Sequence, residues 1–152
     1  MYIIDTNIHA AYLLQNYEDD VLTKKYLSTY DTIALAERVI PDFIIGEFET
    51  FIIQVVPSRY QLEGKDKEKL RELAFAYIYS VMREFTLVVP EIETVQRARD
   101  IYFENAKSHY ISFVDSLLLA TAEQNNYTIF SKDGRLNTLA QKLAIPLLQP
   151  QK

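Results

Sequence analysis

The residues that most constrain this chain come first: the apolar run Met1-Tyr2-Ile3-Ile4 stops at Asp5-Thr6-Asn7. A short apolar run closed by an acid and two polar residues reads as a buried strand turning into a helix, here over Ile8 to Leu14. A carboxylate at the C-terminal end of a parallel strand points into the crevice where open α/β sheets place their ligands. The same pattern recurs late in the chain, where Tyr127-Thr128-Ile129-Phe130 is followed by Ser131-Lys132-Asp133-Gly134. Between them lie two more acids inside apolar stretches, Glu47 and Asp115. Four separated carboxylates that one fold can gather point to a divalent metal site.

Short strands alternate with helical patterns along the rest of the chain, which predicts βαβ units and a mainly parallel sheet of the α/β class. Residues 1–5 form the first strand, and helices follow over 8–14 and 18–29, the second led by Glu18, Asp19 and Asp20. A short strand is expected near Arg38-Val39-Ile40, and Pro41-Asp42 opens a helix that passes Phe51 and ends before Pro57. Ser58 to Gly64 is a polar connection. Lys65 to Glu84 is the clearest helix, with Leu70, Leu73, Ala74, Tyr77, Ile78 and Val81 at helical spacing. Thr86 to Val89 is a β-branched strand stopped by Pro90, and Ile92–Lys107 and Ile111–Gln124 are helices. Tyr127 to Phe130 is a strand, Leu136 to Leu143 a short helix, and Ile145 to Leu148 a last edge strand, where a proline is tolerable. With no linker, repeat or low-complexity stretch, residues 1–152 read as one domain.

Composition narrows the function classes. The chain has 152 residues, 49% hydrophobic and 24% charged, enough for one domain with a substantial core and unlike a disordered chain. No apolar run is long enough to span a bilayer and no signal-peptide pattern opens the chain, so a cytoplasmic protein with no membrane partner is expected. Cys is absent, which excludes thiolate metal sites, and His9 and His109 are too few for a His-rich zinc site. A net charge of −5 argues against broad attraction to nucleic acid, although acids gathered in one metal cleft would themselves lower the net charge.

Each acid has a plainer explanation. Asp5 can be a helix cap, since Asp, Thr and Asn all cap well, and Thr6 and Asn7 can cap and orient it together. Glu47 shares a helical stripe with Ile44 and Phe51, where a carboxylate is costly unless it reaches water or a cation. Glu49 competes with it on the same helix and Asp42 lies one turn ahead; the residues alone do not choose. Asp115 shares a stripe with Ile111, Leu118, Leu119 and Ala122, and can be only a charge favoured by the helix dipole. Asp133 can belong to a simple Lys-Asp-Gly turn. Lys132 and Arg135 beside it read as surface charges, and Arg97, Arg99 and Lys107 as ion-pairing partners of nearby acids. The tyrosines, among them Tyr77 and Tyr102, read as core or boundary residues before they read as base-stacking surfaces.

Taken in order, these segments resemble the PIN-domain family. Its members open with an apolar strand ending in Asp-Thr-Asn or similar, as in Tyr2-Ile3-Ile4-Asp5-Thr6-Asn7. They carry a Glu on a helix after a Pro-led apolar turn, as in Ile40-Pro41-Asp42-Phe43-Ile44-Ile45-Gly46-Glu47-Phe48, and this likeness selects Glu47 over Glu49. A third acid opens an Ala-rich helix, as in Phe113-Val114-Asp115-Ser116-Leu117-Leu118-Leu119-Ala120. A fourth follows a strand and a hydroxyl residue, as in Ile129-Phe130-Ser131-Lys132-Asp133. Each motif is weak alone, and the order and separation of all four are fairly specific. Ser131 stands where Thr is frequent, Asn125-Asn126 replaces a common Gly, and Ser58 to Glu84 is longer than in the smallest members.

The resemblance implies a three-layer α/β/α sandwich with a mainly parallel sheet, here of about five strands. It also implies Mg²⁺- or Mn²⁺-dependent cleavage of RNA, often by the toxin of a toxin–antitoxin pair, and frequent homodimers. In that reading Asp5, Glu47, Asp115 and Asp133 hold one or two Mg²⁺ or Mn²⁺ ions, with Asn7 and Ser131 as supporting hydrogen-bond partners. A metal-activated water would attack the phosphodiester in line. RNA is the expected substrate and an antitoxin protein the expected partner. Two other classes compete: a non-catalytic PIN-fold module that binds RNA or protein, and a phosphoacceptor receiver. The receiver would want paired acids after the first strand and a Lys after a late one, but the chain has only Asp5 at the first place and no such Lys after Leu147-Leu148. An Asp-x-Asp phosphatase fails because Asn7 stands at the second position.

Overall fold

The structure, a computed structural model, describes residues 1–15 and 20–150, with the backbone alone over 106–109. Short apolar stretches form four strands: β1 (Tyr2–Ile4), β2 (Arg38–Pro41), β3 (Thr86–Val88) and β4 (Thr128–Phe130). All pair in parallel, in the order β3-β2-β1-β4. From β1 to β2 to β3 the chain steps one way across the sheet, then returns past β1 to place β4 on the far edge. Right-handed crossovers put the helices of the first two connections on one face and those of the third on the other. The direction of travel reverses between β1 and β4, so the crevice of this α/β sheet opens at their C-terminal ends.

The first connection holds α1 (Thr6–Leu13) and α2 (Val21–Thr32). The second holds α3 (Asp42–Thr50), a π-helical turn (Phe51–Val55), α4 (Val56–Arg59) and α5 (Gly64–Glu84). The third holds α6 (Ile92–His109) packed on α7 (Phe113–Asn125), and α8 (Gly134–Lys142) follows β4. Ile3, Ile4, Val39, Ile40, Ile129 and Phe130 make the sheet's buried centre. A second cluster, including Ala10, Leu14, Phe48, Ile52, Val56, Leu70 and Ala74, fills the space between α1, α3 and α5. Across α6 and α7, Arg97 pairs with Glu123 at 2.6 Å, so the expected ion pair joins two helices instead of lying within one. The Lys107 side chain lies outside the described residues. Among the described residues no helix is long and apolar enough to cross a membrane.

A polar group is locked inside the α1 layer. His9 is buried, and its Nδ1 lies 2.8 Å from the Tyr77 hydroxyl, itself 3.5 Å from that of Tyr30. The Arg38 guanidinium sits 4.0 Å above the Tyr30 ring and donates to the carbonyls of Tyr30 and Ile33. Burial, with the Arg38 charge as a lesser cause, lowers the His9 imidazole to about 3, so it is neutral at ordinary pH.

Several boundaries differ from expectation for identifiable reasons. The fifth strand shrinks to a bridge between Ile129 and Leu147, so the sheet has four strands. The Ile129 N–H still donates to Pro146 and the Leu148 N–H to Ile129, both at 2.9 Å, but Pro146 has no N–H with which to extend the ladder. The helix expected to stop before Pro57 continues through it. The wider π turn just upstream, where the Val56 N–H reaches the Phe51 carbonyl, loosens the backbone that a proline would otherwise crowd. Helix α7 starts at Phe113, not Ile111, because Ser112 caps it. Helix α2 starts at Val21, with Asp20 accepting the Thr23 N–H at 2.8 Å; Glu18 and Asp19 lie outside the described residues.

Candidate active site

Asp5 lies just past β1, and its N–H donates to the Phe130 carbonyl at 3.1 Å, tying the ends of the two switch-point strands together. It occupies the N-cap position of α1, yet its carboxylate makes no cap bond. The side chain is held by two other side chains instead, one in the first turn of α1 and one just past β4. Asn7 Nδ2 donates to Asp5 Oδ2 at 2.6 Å, and Ser131 Oγ donates to the same oxygen at 2.5 Å. Asn7 also spans to β4's end, donating to Ser131 Oγ and accepting from the Lys132 N–H, both at 2.9 Å. Asn7 and Ser131 therefore brace Asp5.

Burial pushes the Asp5 carboxyl up to about 7; the Ser131 bond pulls it down, and the charges of Glu47 and Asp115 push it up again. Glu47, half-buried on α3, accepts a hydrogen bond from the Thr6 hydroxyl. Its carboxyl is also raised, first by burial, opposed by the Thr6 bond and assisted by Asp115. Glu49 does not line the cleft.

The other two acids have second duties. Asp115 is the third residue of α7 and closes a capping box: its Oδ2 accepts the Ser112 N–H at 2.7 Å while Ser112 Oγ accepts the Asp115 N–H at 3.0 Å. Asp133 is exposed and caps α8, taking the N–H groups of Arg135 and Leu136 at 2.7 and 3.1 Å. The plainer reading of both as helix-terminal residues is thus correct, and it does not exclude the other, because all four carboxylates line one cleft of about 320 Å³.

Two cations share that cleft, Lys132 and Arg59. Lys132 is no ordinary surface charge, since its Nζ donates to Thr23 Oγ1 on α2 at 2.5 Å. Arg59 falls in the segment expected to be a polar connection, and nothing in its local sequence marks it; only the continuation of the helix through Pro57 carries it to the cleft. Arg135 is exposed, as expected.

Among the described residues, no three His, Cys, Asp or Glu side chains stand close enough to hold an ion as they are. The chemistry of the donors nevertheless fits a hard divalent cation. The cleft offers carboxylate and hydroxyl oxygens, and Asp5 and Glu47 are raised by burial and like charge, a cost that a bound cation relieves.

Solved structures share this fold. FitAcB from Neisseria gonorrhoeae superposes with a TM-score of 0.69 at 18% identity, covering 99% of this chain and 98% of that one. VapC20 of Mycobacterium tuberculosis, a sarcin-ricin loop cleaving toxin, gives 0.68 at 13% identity over 91% of this chain and 94% of its own. A toxin-antitoxin complex from Klebsiella pneumoniae gives 0.55 at 15% identity over 100% and 99%. No curated protein gives a significant sequence match. The PIN domain family model matches residues 2–142, nearly the whole chain and every segment that supplies the cleft, and the chain therefore belongs to the PIN domain family.

Proposed function

We propose that this protein is a metal-dependent ribonuclease that hydrolyses RNA phosphodiester bonds, acting as the toxin of a toxin–antitoxin pair. The observation that carries the reading is the cleft itself. Acidic residues from four separate segments line it, and burial raises the carboxyl of the innermost, Asp5, to about 7. Such a cluster is unfavourable for the bare protein and favourable for one that binds a cation.

In this reading Asp5, Glu47, Asp115 and Asp133 hold one or two Mg²⁺ or Mn²⁺ ions. When bound there, the metal supplies charge neutralisation at the phosphate and an acidified water at neutral pH. The chain does the rest. Asn7 and Ser131 fix the rotamer of Asp5, and Thr6 fixes Glu47. Lys132 and Arg59 offset the acids, so that a polyanion can approach a cleft on a chain of net charge −5. Ser112 sets the aim of Asp115 at the mouth of α7.

The proposal includes a cytoplasmic location, a protein antitoxin and a homodimer. The resemblance to FitAcB, VapC20 and the Klebsiella complex supports the toxin assignment. A small open reading frame beside the gene and co-purification of its product would support the antitoxin; sedimentation would read the dimer. A non-catalytic binding module is the second reading, favoured by the absence of a closed cage among the described residues. Purified protein incubated with mixed single-stranded RNA in Mn²⁺, Mg²⁺ or EDTA decides between them. Cleavage that needs metal and vanishes in Asp5→Asn is the expected result. Metal-independent cleavage, or none under any condition, removes the ribonuclease reading.

A further inference from the structure

A second groove opens beside the carboxylate cleft, lined by Phe43, Gly46, Thr50, Val55 and Val114, and it shares Glu47 and Phe51 with the cleft as a common wall. Its lining is mostly apolar, unlike the acid-rich cleft next to it. On the shared wall the Arg59 guanidinium lies 5.5 Å from the centre of the Phe51 ring. One aromatic side chain thus borders a cation and acidic residues on one side and a mostly apolar groove on the other.

Gly46 adds an independent observation. It sits inside α3, where glycine is clearly less favourable than alanine. The fold does not require it: its φ is not in the left-handed region, and a Cβ placed there would meet no atom within 4 Å. It lines the groove and adds no side chain to it. Helix stability is given up where it keeps that surface open.

We propose that this groove receives one nucleobase of the RNA substrate, stacked on Phe51, while the neighbouring phosphate lies at the carboxylates with Arg59 beside it. This rests on the ribonuclease reading and adds where the base goes. The charges favour that occupant. The groove wall carries no charged residue except Glu47 at its boundary, so it suits a flat, weakly polar ring, and the cations stand on the cleft side, where the phosphate must be. Base stacking on an aromatic ring tolerates every base, so the groove selects unstacked, single-stranded RNA without strong sequence preference.

The chain has no Trp, so Phe51→Trp introduces a single fluorescent reporter at the wall. In Mg²⁺ buffer, uridine and adenosine 5′-monophosphates should quench it at concentrations at least ~5-fold below those needed by ribose 5-phosphate, which has the phosphate but no base. Tyr79→Trp, on an exposed face of α5, should not respond. Quenching by ribose 5-phosphate equal to that by the nucleotides overturns the proposal, as does no quenching by nucleotides, which would leave the groove to a protein side chain. Gly46→Leu tests the same idea without touching the ring. It should fill the groove, raise KM for single-stranded RNA at least ~5-fold, and change kcat less than ~2-fold, with no loss of thermal stability. An unchanged KM overturns the groove. If the wild type cleaves no RNA while base-specific quenching persists, the ribonuclease reading falls and the base site stands; cleavage without quenching removes the base site and leaves the ribonuclease reading in place.

Discussion

The two strand-to-helix junctions at the switch point, β1 into α1 and β4 into α8, share an aspartate and behave differently. In each an aspartate follows a buried parallel strand and takes the N-cap position of the next helix. Asp133 uses its carboxylate as a cap, accepting two backbone N–H groups, and remains in water. Asp5 makes no cap bond, is buried, and is held by the side chains of Asn7 in the first turn of α1 and Ser131 just past β4. An acid spent on a helix terminus has backbone N–H groups as partners. Burial raises the enclosed Asp5 carboxyl, a cost that a bound cation would relieve. The position of an aspartate thus does not tell its role; the partners of its hydrogen bonds and its burial do.

The sharpest way to break the comparison is to neutralise each acid in turn. Asp5→Asn should lower metal-dependent cleavage by ~10²-fold or more, while Asp133→Asn, whose amide oxygen can still cap α8, should lose ~10-fold or less. Equal losses would mean the junctions are equivalent after all. Next in size is stability without metal. Asp5 is raised from 3.8 to about 7, so between those values the folded state holds the extra proton, and stability falls as pH rises through that window. His9 is lowered from 6.5 to about 3, so between those values the unfolded state holds the extra proton, and stability rises with pH. The two opposed slopes flatten the wild-type curve between pH 4 and 6.5. Asp5→Asn removes one of them. In EDTA its melting temperature should therefore climb with pH across that interval, and near pH 7 it should exceed the wild type by up to ~4 kcal/mol in stability. A curve parallel to the wild type would show that Asp5 is not strained.

Smaller effects sharpen the contrast. Asp133→Ala should cost ~1 kcal/mol of stability through the lost cap, and Asp133→Asn much less, by chemical denaturation. Ser131→Ala removes the bond that pulls Asp5 down, so the Asp5 carboxyl should titrate at still higher pH. The acid limb of the cleavage profile should move the same way, and carboxyl-carbon NMR should follow it directly. No movement would mean that Ser131 supports the loop and not the charge.

The amino-acid order makes one part of this molecule legible and hides another. The strands, the long helix α5 and the two strand-end aspartates can be read from local pattern, because a parallel strand must be apolar and its end must be polar. Ser112-Phe113-Val114-Asp115 also carries a readable capping signal, a hydroxyl residue three places before an acid, which corrects the expected start of α7 from Ile111. What local pattern does not contain is contact between distant segments. The Thr6–Glu47 bond joins residues 41 apart, and that of Lys132 to Thr23 residues 109 apart. From the residues alone Thr6 is a cap and Lys132 a surface charge. Glu47 and Glu49 are likewise equivalent by composition, and family likeness, not periodicity, separates them.

The π turn ahead of Pro57 has a consequence for the geometry of inheritance. An α-helix turns about 100° per residue, so Glu47 and Phe51, four apart, share a face, and Arg59, eight residues after Phe51, would fall about 80° away from it. The extra residue held in the 51–55 turn takes up one step, and Arg59 comes back into line with Glu47 and Phe51. The cation is thus aimed by the width of the turn and not by any side chain in between. Deleting one residue from that turn should give a regular helix whose arginine still faces the acids, whereas closing the turn into a regular helix with every residue kept would swing Arg59 about 100° away. The aim depends on the turn staying wide, so this part of the cleft tolerates the loss of one codon and is exposed to substitutions that tighten the turn.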